Sequence, residues 1–180
     1  LTSPIPLRCF IFLPSETTDG RNMKHRRGMG LVSDIFTVES LQSLQGRCAI
    51  GHVRYSTTGS SNIKNVQPFV VDYFGTTLAV AHNGNIVNAA ELRRKLESAG
   101  SIFQSTMDSE LLLHLIAKSR YADFRKKVSG SMDKLKGAFS ILLLTENHFV
   151  AARDPQGFRP LCLGKIDGAW VVASETCALD

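Results

Sequence analysis

The chain has 180 residues, 43% hydrophobic and 21% charged, a balance typical of one globular domain. This excludes a disordered tail, a collagen-like rod and a disulfide-stapled miniprotein, and no apolar run approaches the roughly 18–20 residues of a membrane span. Lysine and arginine outnumber aspartate and glutamate by 21 to 16, a net charge of +5, but the basic residues are scattered and not interleaved with stacking aromatics, so no nucleic-acid or membrane partner is expected.

In chain order, residues 1–20 hold three prolines and then Ser-Glu-Thr-Thr-Asp-Gly, without helical or alternating periodicity and without a secretory pattern. Cys9–Leu13 is the one run there with strand propensity, bracketed by Pro6 and Pro14, and is expected either to dock as a strand beside the core or to leave an exposed apolar patch and poor solubility. The basic cluster Lys24-His25-Arg26-Arg27 follows. Cys48–Ser56 alternates as a half-buried strand does, with Ile50, His52 and Arg54 on one face and Ala49, Gly51, Val53 and Tyr55 on the other. Thr77–His82 reads as a second strand, broken at Asn83-Gly84, a strong hairpin signal. Asn88 with Glu91 predicts a helix cap, and Gly100 the end of that helix. Ser105 with Asp108 predicts a capping box ahead of Leu111, Leu112, Leu115 and Ile116 at helical spacing. Residues 121–136 read as a third helix. Strands follow at Phe139–Thr145, His148–Arg153 and Ala169–Ser174, punctuated at Asp154-Pro155 and Asp167-Gly168.

Helices sit together in the middle with strands on both sides, and no β-α-β alternation with glycine-rich crossovers occurs. The fold class is therefore α+β with mainly antiparallel sheets. No phosphate-binding loop is present, and Gly28-Met29-Gly30 lacks the third glycine of a dinucleotide fingerprint. The cysteines Cys9, Cys48, Cys162 and Cys177 form no C-x-x-C pair and no zinc spacing. Three lie in strand-like apolar runs, as buried, reduced thiols of an intracellular protein would. No metal site is expected.

Three clusters carry candidate chemistry. Taken singly, Arg54 is an arginine leaving a sheet, Asn83-Gly84 a turn, and Asp108 a residue that favours a helix N-terminus. Taken together they fit an amino-acid substrate, which needs a cation for its α-carboxylate and an anion for its α-ammonium. Arg54 offers a planar fork for the first and Asp108 a carboxylate for the second. Attack on a side-chain carboxamide develops an oxyanion, to which the Asn83 amide and the Gly84 backbone N–H can donate.

The order GHVRYST, NVQPF, AHNGN, D-S-E, DPQGFRPL and ASETCALD resembles the glutamine-hydrolysing domain of the amidophosphoribosyltransferase family. Arg54, Asn83-Gly84 and Asp108 are shared with other class II glutamine amidotransferases; Asn65–Phe69, Asp154–Leu161 and Ala173–Asp180 single out the purine enzyme. The resemblance implies a four-layer αββα sandwich of the N-terminal-nucleophile hydrolase type. In it a cysteine at the mature N-terminus attacks glutamine, with its own α-amine, of ordinary pKa about 7.7–8, as the base. It also implies that Arg54 and Asp108 hold the α-groups of glutamine, that Asn83 and Gly84 form the oxyanion hole, and that Thr57 is a secondary candidate for substrate contact. Ammonia then passes to a phosphoribosyltransferase domain and displaces pyrophosphate from phosphoribosyl pyrophosphate. The product is phosphoribosylamine, the first intermediate of de novo purine biosynthesis. That domain, with its magnesium site and in some members an iron–sulfur cluster, lies outside this chain, so no cofactor is expected here. The full enzyme is expected to be a homo-oligomer in the cytoplasm, or in plastids, where family members also occur.

Two departures matter. The family opens with a Cys-Gly strand and an H-R-G-Q loop; here Gly28–Phe36 matches the segment after that loop, and His25-Arg26-Arg27-Gly28 only echoes it. Residues 1–27 are thus expected to be an atypical N-terminal segment, and 28–180 a partial amidotransferase domain, its sandwich incomplete and its nucleophilic cysteine not found. Cys9 lacks the following glycine, and an internal cysteine has no α-amine to serve as base. The chain as it stands is expected to show no appreciable glutaminase activity. The alternative function is a non-catalytic glutamine-binding or interaction domain.

Overall fold

The computed structural model describes residues 7–13, 23–44, 46–54 and 63–179, with the backbone alone described at 7–13, 29, 54 and 63. The apolar run near the start does dock as a strand. β1 (Leu7–Leu13) lies between β2 (Lys24–Met29) and β3 (Cys48–Arg54), antiparallel to both, with Cys9 opposite Arg27 on one side and His52 on the other. The basic cluster at 24–27 is therefore strand, alternating in side. Arg26 Nε donates to the Ile35 carbonyl at 2.6 Å and Lys24 Nζ to the Ser43 carbonyl at 3.1 Å. These bonds, with Gly28 against the Ile35 side chain, seat α1 (Val32–Ile35) and α2 (Val38–Gln42) on β2.

A second sheet has the order β4 (Phe69–Tyr73), β5 (Thr76–Ile86), β6 (Gly137–Leu144) and β7 (Phe149–Arg153), every neighbour antiparallel. Between β5 and β6 the chain forms α3 (Ala89–Ser98), α4 (Ser109–Ala117) and α5 (Phe124–Met132). β5 divides its side chains by alternation. Leu78, Val80 and Ile86 join Leu111, Leu112 and Ile116 in the core under the helices, while Ala79 and Ala81 pack with Ile50 of β3. The two sheets therefore face one another across Ile50, Ala79, Ala81 and Leu144. Fully buried side chains such as Leu112 and Ile116 each contribute about 1.5–3 kcal/mol of apolar burial. A hairpin of β8 (Cys162–Ile166) and β9 (Ala169–Ala173) completes the described strands; β4 and β8, short and without clean alternation, carry no clear sequence signal.

Local signals succeed or fail for identifiable reasons. Gly100 ends α3 as expected: at φ +83° its N–H bonds the Glu97 carbonyl and the Ser101 N–H bonds that of Leu96, both at 2.9 Å. Asn88 precedes α3 but does not cap it. Its amide instead accepts from Lys136 N and donates to the Lys134 carbonyl, each at 2.9 Å, tying the helix start to the approach of β6. The thiols also depart from expectation: Cys48 and Cys162 are only half-buried and Cys177 is exposed, all three unpaired, and burial pushes the Cys48 thiol up. Asp123 caps α5 through Lys126 N at 2.9 Å. Asp123→Ala is expected to cost about 1 kcal/mol, read as a fall in Tm of roughly 2–4 °C.

Candidate active site

Asn83-Gly84 is not a turn. β5 runs through it without a break, with Asn83 opposite Ser140 and Gly84 opposite Phe139. Glycine is required there by close approach: at φ +146°, a Cβ on Gly84 would lie 2.1 Å from the Ala138 carbonyl oxygen. The hairpin signal is local, whereas this constraint comes from β6, far along the chain.

The direction of each backbone group on β5 follows from its neighbours. Phe139 uses its carbonyl toward the β7 side, accepting from Asp154 N at 2.7 Å. Antiparallel ladders alternate, so β6 turns its bonding groups toward β5 at Ala138, Ser140 and Leu142, opposite Asn85, Asn83 and Ala81. The even-numbered residues of β5 then point the other way, where β4 pairs with them only as far as Val80, opposite Phe69. Beyond that point His82, Gly84 and Ile86 form an edge with no strand partner among the described residues.

Buried backbone groups need partners, and most on this edge have one. The His82 N–H donates to Gln67 Oε1 at 2.6 Å, and the His52 ring Nε2 lies 3.1 Å from the His82 carbonyl. The Ile86 N–H donates to Asp108 Oδ2 at 3.1 Å. Between them neither neighbouring strand supplies an acceptor for the Gly84 N–H.

Asp108 immediately precedes α4 and turns both carboxylate oxygens toward β5. Oδ1 lies 3.2 Å from His82 Nδ1, on a histidine only 4% exposed, while Oδ2 holds Ile86. Burial pushes the Asp108 carboxyl up, but the hydrogen bond and charge of His82 and the Ile86 N–H outweigh it and hold the group below its ordinary range. The capping box expected between Ser105 and Asp108 is not made. Ser105 pairs instead with the buried Glu110, whose carboxylate accepts from Ser105 N, Ser105 Oγ and Gln104 N at 2.7–2.8 Å. Glu110 thereby folds the turn that carries Asp108, and Arg93 clamps its other side through the Ser105 carbonyl at 3.0 Å.

Of the residues singled out in sequence, the structure brings Gly84 and Asp108 to one edge of β5, with Asn83 beside Gly84 in the same strand. Arg54 is the last residue of β3, opposite Leu7; its side chain and the whole of Thr57 lie outside the described residues. Alternation places Asn83 on the face of β5 that looks to β3, with Ala79 and Ala81. Sequence reading missed His82, Gln67 and His52. Only His52 left a trace, by sharing an inward face with Ile50.

A carboxylate held below its ordinary value stabilises the fold above that ordinary value, 3.8, and loses the contribution as pH falls through the depressed one. The gap in urea midpoint between the natural chain and Asp108→Asn is therefore expected to shrink between about pH 6 and about pH 3.

Comparison with known proteins follows the same lines. Residues 52–180 match the family described as the glutamine amidotransferase domain. Amidophosphoribosyltransferase 3, chloroplastic, of Arabidopsis thaliana is 55% identical over 154 residues, covering 85% of this chain and 29% of the relative. The amidophosphoribosyltransferase of Bacillus subtilis is 44% identical over 164 residues, covering 91% of this chain and 34% of the relative. The solved glutamine phosphoribosylpyrophosphate amidotransferase from B. subtilis, complexed with ADP and GMP, superposes with a TM-score of 0.86 at 39% identity, over 98% of this chain and 37% of that one. The chain thus spans about a third of the length of these relatives. Among the described residues no helix is long and apolar enough to cross a membrane.

Proposed function

The chain belongs to the glutamine amidotransferase domain family, and from that membership we propose that it is the glutamine-hydrolysing part of an amidophosphoribosyltransferase. The observation that carries the reading is the shared edge of β5, where Gly84, whose N–H is offered no acceptor by either neighbouring strand among the described residues, lies between His82 and Ile86, both tied to the Asp108 carboxylate. Asp108, ionised at neutral pH, receives the α-ammonium of glutamine, and Arg54 receives the α-carboxylate. The side-chain carboxamide then lies along β5, where the Asn83 amide and the Gly84 N–H would donate to the oxyanion formed on attack by the family's N-terminal cysteine thiolate, a nucleophile not identified among the residues of this sequence. Collapse of that intermediate releases ammonia, and water frees glutamate from the thioester.

In this reading the layers are αββα: α3–α5, the β4–β7 sheet, the β1–β3 sheet, and α1–α2. The register supports it, because Ile50, in register with His25 through Ile11, faces the second sheet, while Lys24, Arg26 and Gly28, which alternate with His25 along β2, meet α1–α2. Ammonia goes on to phosphoribosyl pyrophosphate in a phosphoribosyltransferase part, where magnesium, and an iron–sulfur cluster in some members, belong. Purine biosynthesis in an oligomeric enzyme is the corresponding role, and the chloroplastic relatives support a plastid location.

Calorimetric titration of the purified chain with L-glutamine tests the reading, with glutamate release followed in the same samples. Saturable binding of L-glutamine, and none of its analogue without the α-amine, is the expected result. Equal affinity for the two compounds removes Asp108 from the role given to it.

A further inference from the structure

We propose that Asp154 is a positioning residue for the Gly84 amide, acting through the backbone of Phe139; this rests on the oxyanion role assigned to Gly84 above. The segment Asp154–Leu161 has no place in the glutamine contacts, yet it is folded around one buried carboxylate, 3% exposed. Asp154 Oδ1 accepts from Phe158 N at 3.0 Å, and Oδ2 accepts from Arg159 N at 3.0 Å and Phe139 N at 3.3 Å. The backbone N–H of Asp154 donates in turn to the Phe139 carbonyl at 2.7 Å. The turn is closed by Gly157, at φ +68°, whose N–H bonds the Asp154 carbonyl at 2.9 Å. Arg153 grips it from below, through Nε to the Arg159 carbonyl at 2.6 Å and through Nη2 to the Gly157 carbonyl. Ser140 Oγ adds a bond to the Pro160 carbonyl at 2.9 Å.

The turn is therefore fastened to two residues of β6, Phe139 and Ser140, and these stand opposite Gly84 and Asn83. β7 ends at Arg153, so Asp154 alone completes both backbone groups of Phe139 on that side. Contact across the ladder is tight: a Cβ on Gly84 would lie 2.7 Å from the Phe139 Cα. A shift of Phe139 of a few tenths of an ångström is thus passed directly to Gly84. Burial pushes the Asp154 carboxyl up, but the N–H groups of Arg159, Phe158, Phe139 and Gly157 outweigh it and hold it low. Asp154 remains an acceptor with no proton to donate, which suits a pocket walled by donors. Asparagine has nearly the same shape but turns an NH₂ toward one of them.

The test uses the full chain, labelled with ¹⁵N, as the natural sequence and as Asp154→Asn, Ser140→Ala and Asp123→Ala. The last removes one cap from α5 and reports the effect of a local loss elsewhere. Asp154→Asn is expected to speed exchange of the Asn83 and Asn85 amides at least tenfold, to move the Gly84 amide resonance, and to weaken L-glutamine binding at least fivefold. Ser140→Ala is expected to do the same to a lesser degree, with two- to threefold faster exchange at Asn83. Asp123→Ala leaves all three readouts at their natural values. Natural exchange and an unmoved Gly84 resonance in Asp154→Asn overturn the proposal; should that variant not fold, the same result in Ser140→Ala overturns it. Exchange and resonance position are read without glutamine. A natural chain that fails to bind glutamine therefore refutes the functional reading while the positioning role is still decided.

Discussion

Asp108→Ala is expected to lower the affinity for L-glutamine by about 10²–10³-fold, equivalent to about 3–4 kcal/mol. The argument is electrostatic. The α-ammonium of a bound amino acid must lose water, and a half-buried anion with fixed oxygens is what replaces it. Asp108 is such an anion, because His82 Nδ1 at 3.2 Å and Ile86 N at 3.1 Å fix both its oxygens without neutralising them by an arginine or lysine. Alanine also strands these two donors, each costing about 1–3 kcal/mol if left buried and unpaired. Asp108→Asn separates the two effects: it removes the charge, keeps an acceptor for one donor, and is expected to lose most of the glutamine affinity with a smaller loss of stability. Calorimetric titration alongside thermal melts makes the measurement. Natural affinity in Asp108→Ala excludes this carboxylate from the substrate site.

Gly84→Ala is expected to be among the most damaging single substitutions in the chain, costing about 4 kcal/mol or more. Its added methyl meets the Ala138 carbonyl oxygen at 2.1 Å and the Phe139 Cα at 2.7 Å, both backbone, so no side-chain rotation relieves it. The positive φ of 146° adds strain. A fall in Tm of roughly 8–16 °C, or loss of cooperative melting, is the expected reading. Gly100→Ala is the internal comparison. Gly100 also has positive φ, 83°, but no atom within 4 Å, so only the conformational cost of about 1 kcal/mol applies. Equal melting of the two variants contradicts the close approach of β5 and β6.

The two substitutions also divide what sequence alone determined from what tertiary structure decided. Helical periodicity was legible over α3, α4 and α5, as was the Gly100 terminus, because those signals act within a few residues. Alternation over Ile50 and His52 marks the face of β3 that packs inward, and the order of short motifs from GHVRYST to ASETCALD carries the resemblance to the glutamine amidotransferase domain that residues 52–180 match. Asn83-Gly84 reads locally as a turn, whereas the reason for that glycine lies in Ala138 and Phe139, which no local window contains. Ser105 and Asp108 match a capping box because that motif is a local pattern. In the fold Glu110 satisfies Ser105, and Asp108 is drawn away by His82 and Ile86 of a different element. Gln67 gave no sign of its role and His52 only that of its inward face, since their roles exist only where, among the described residues, β4 stops short and leaves the edge of β5 to be satisfied by side chains. Sequence thus determined which residue types are present and how each segment repeats. Which donor meets which acceptor was decided by the closure of the two sheets, because a buried polar group takes its partner from whatever folding brings within about 3 Å of it.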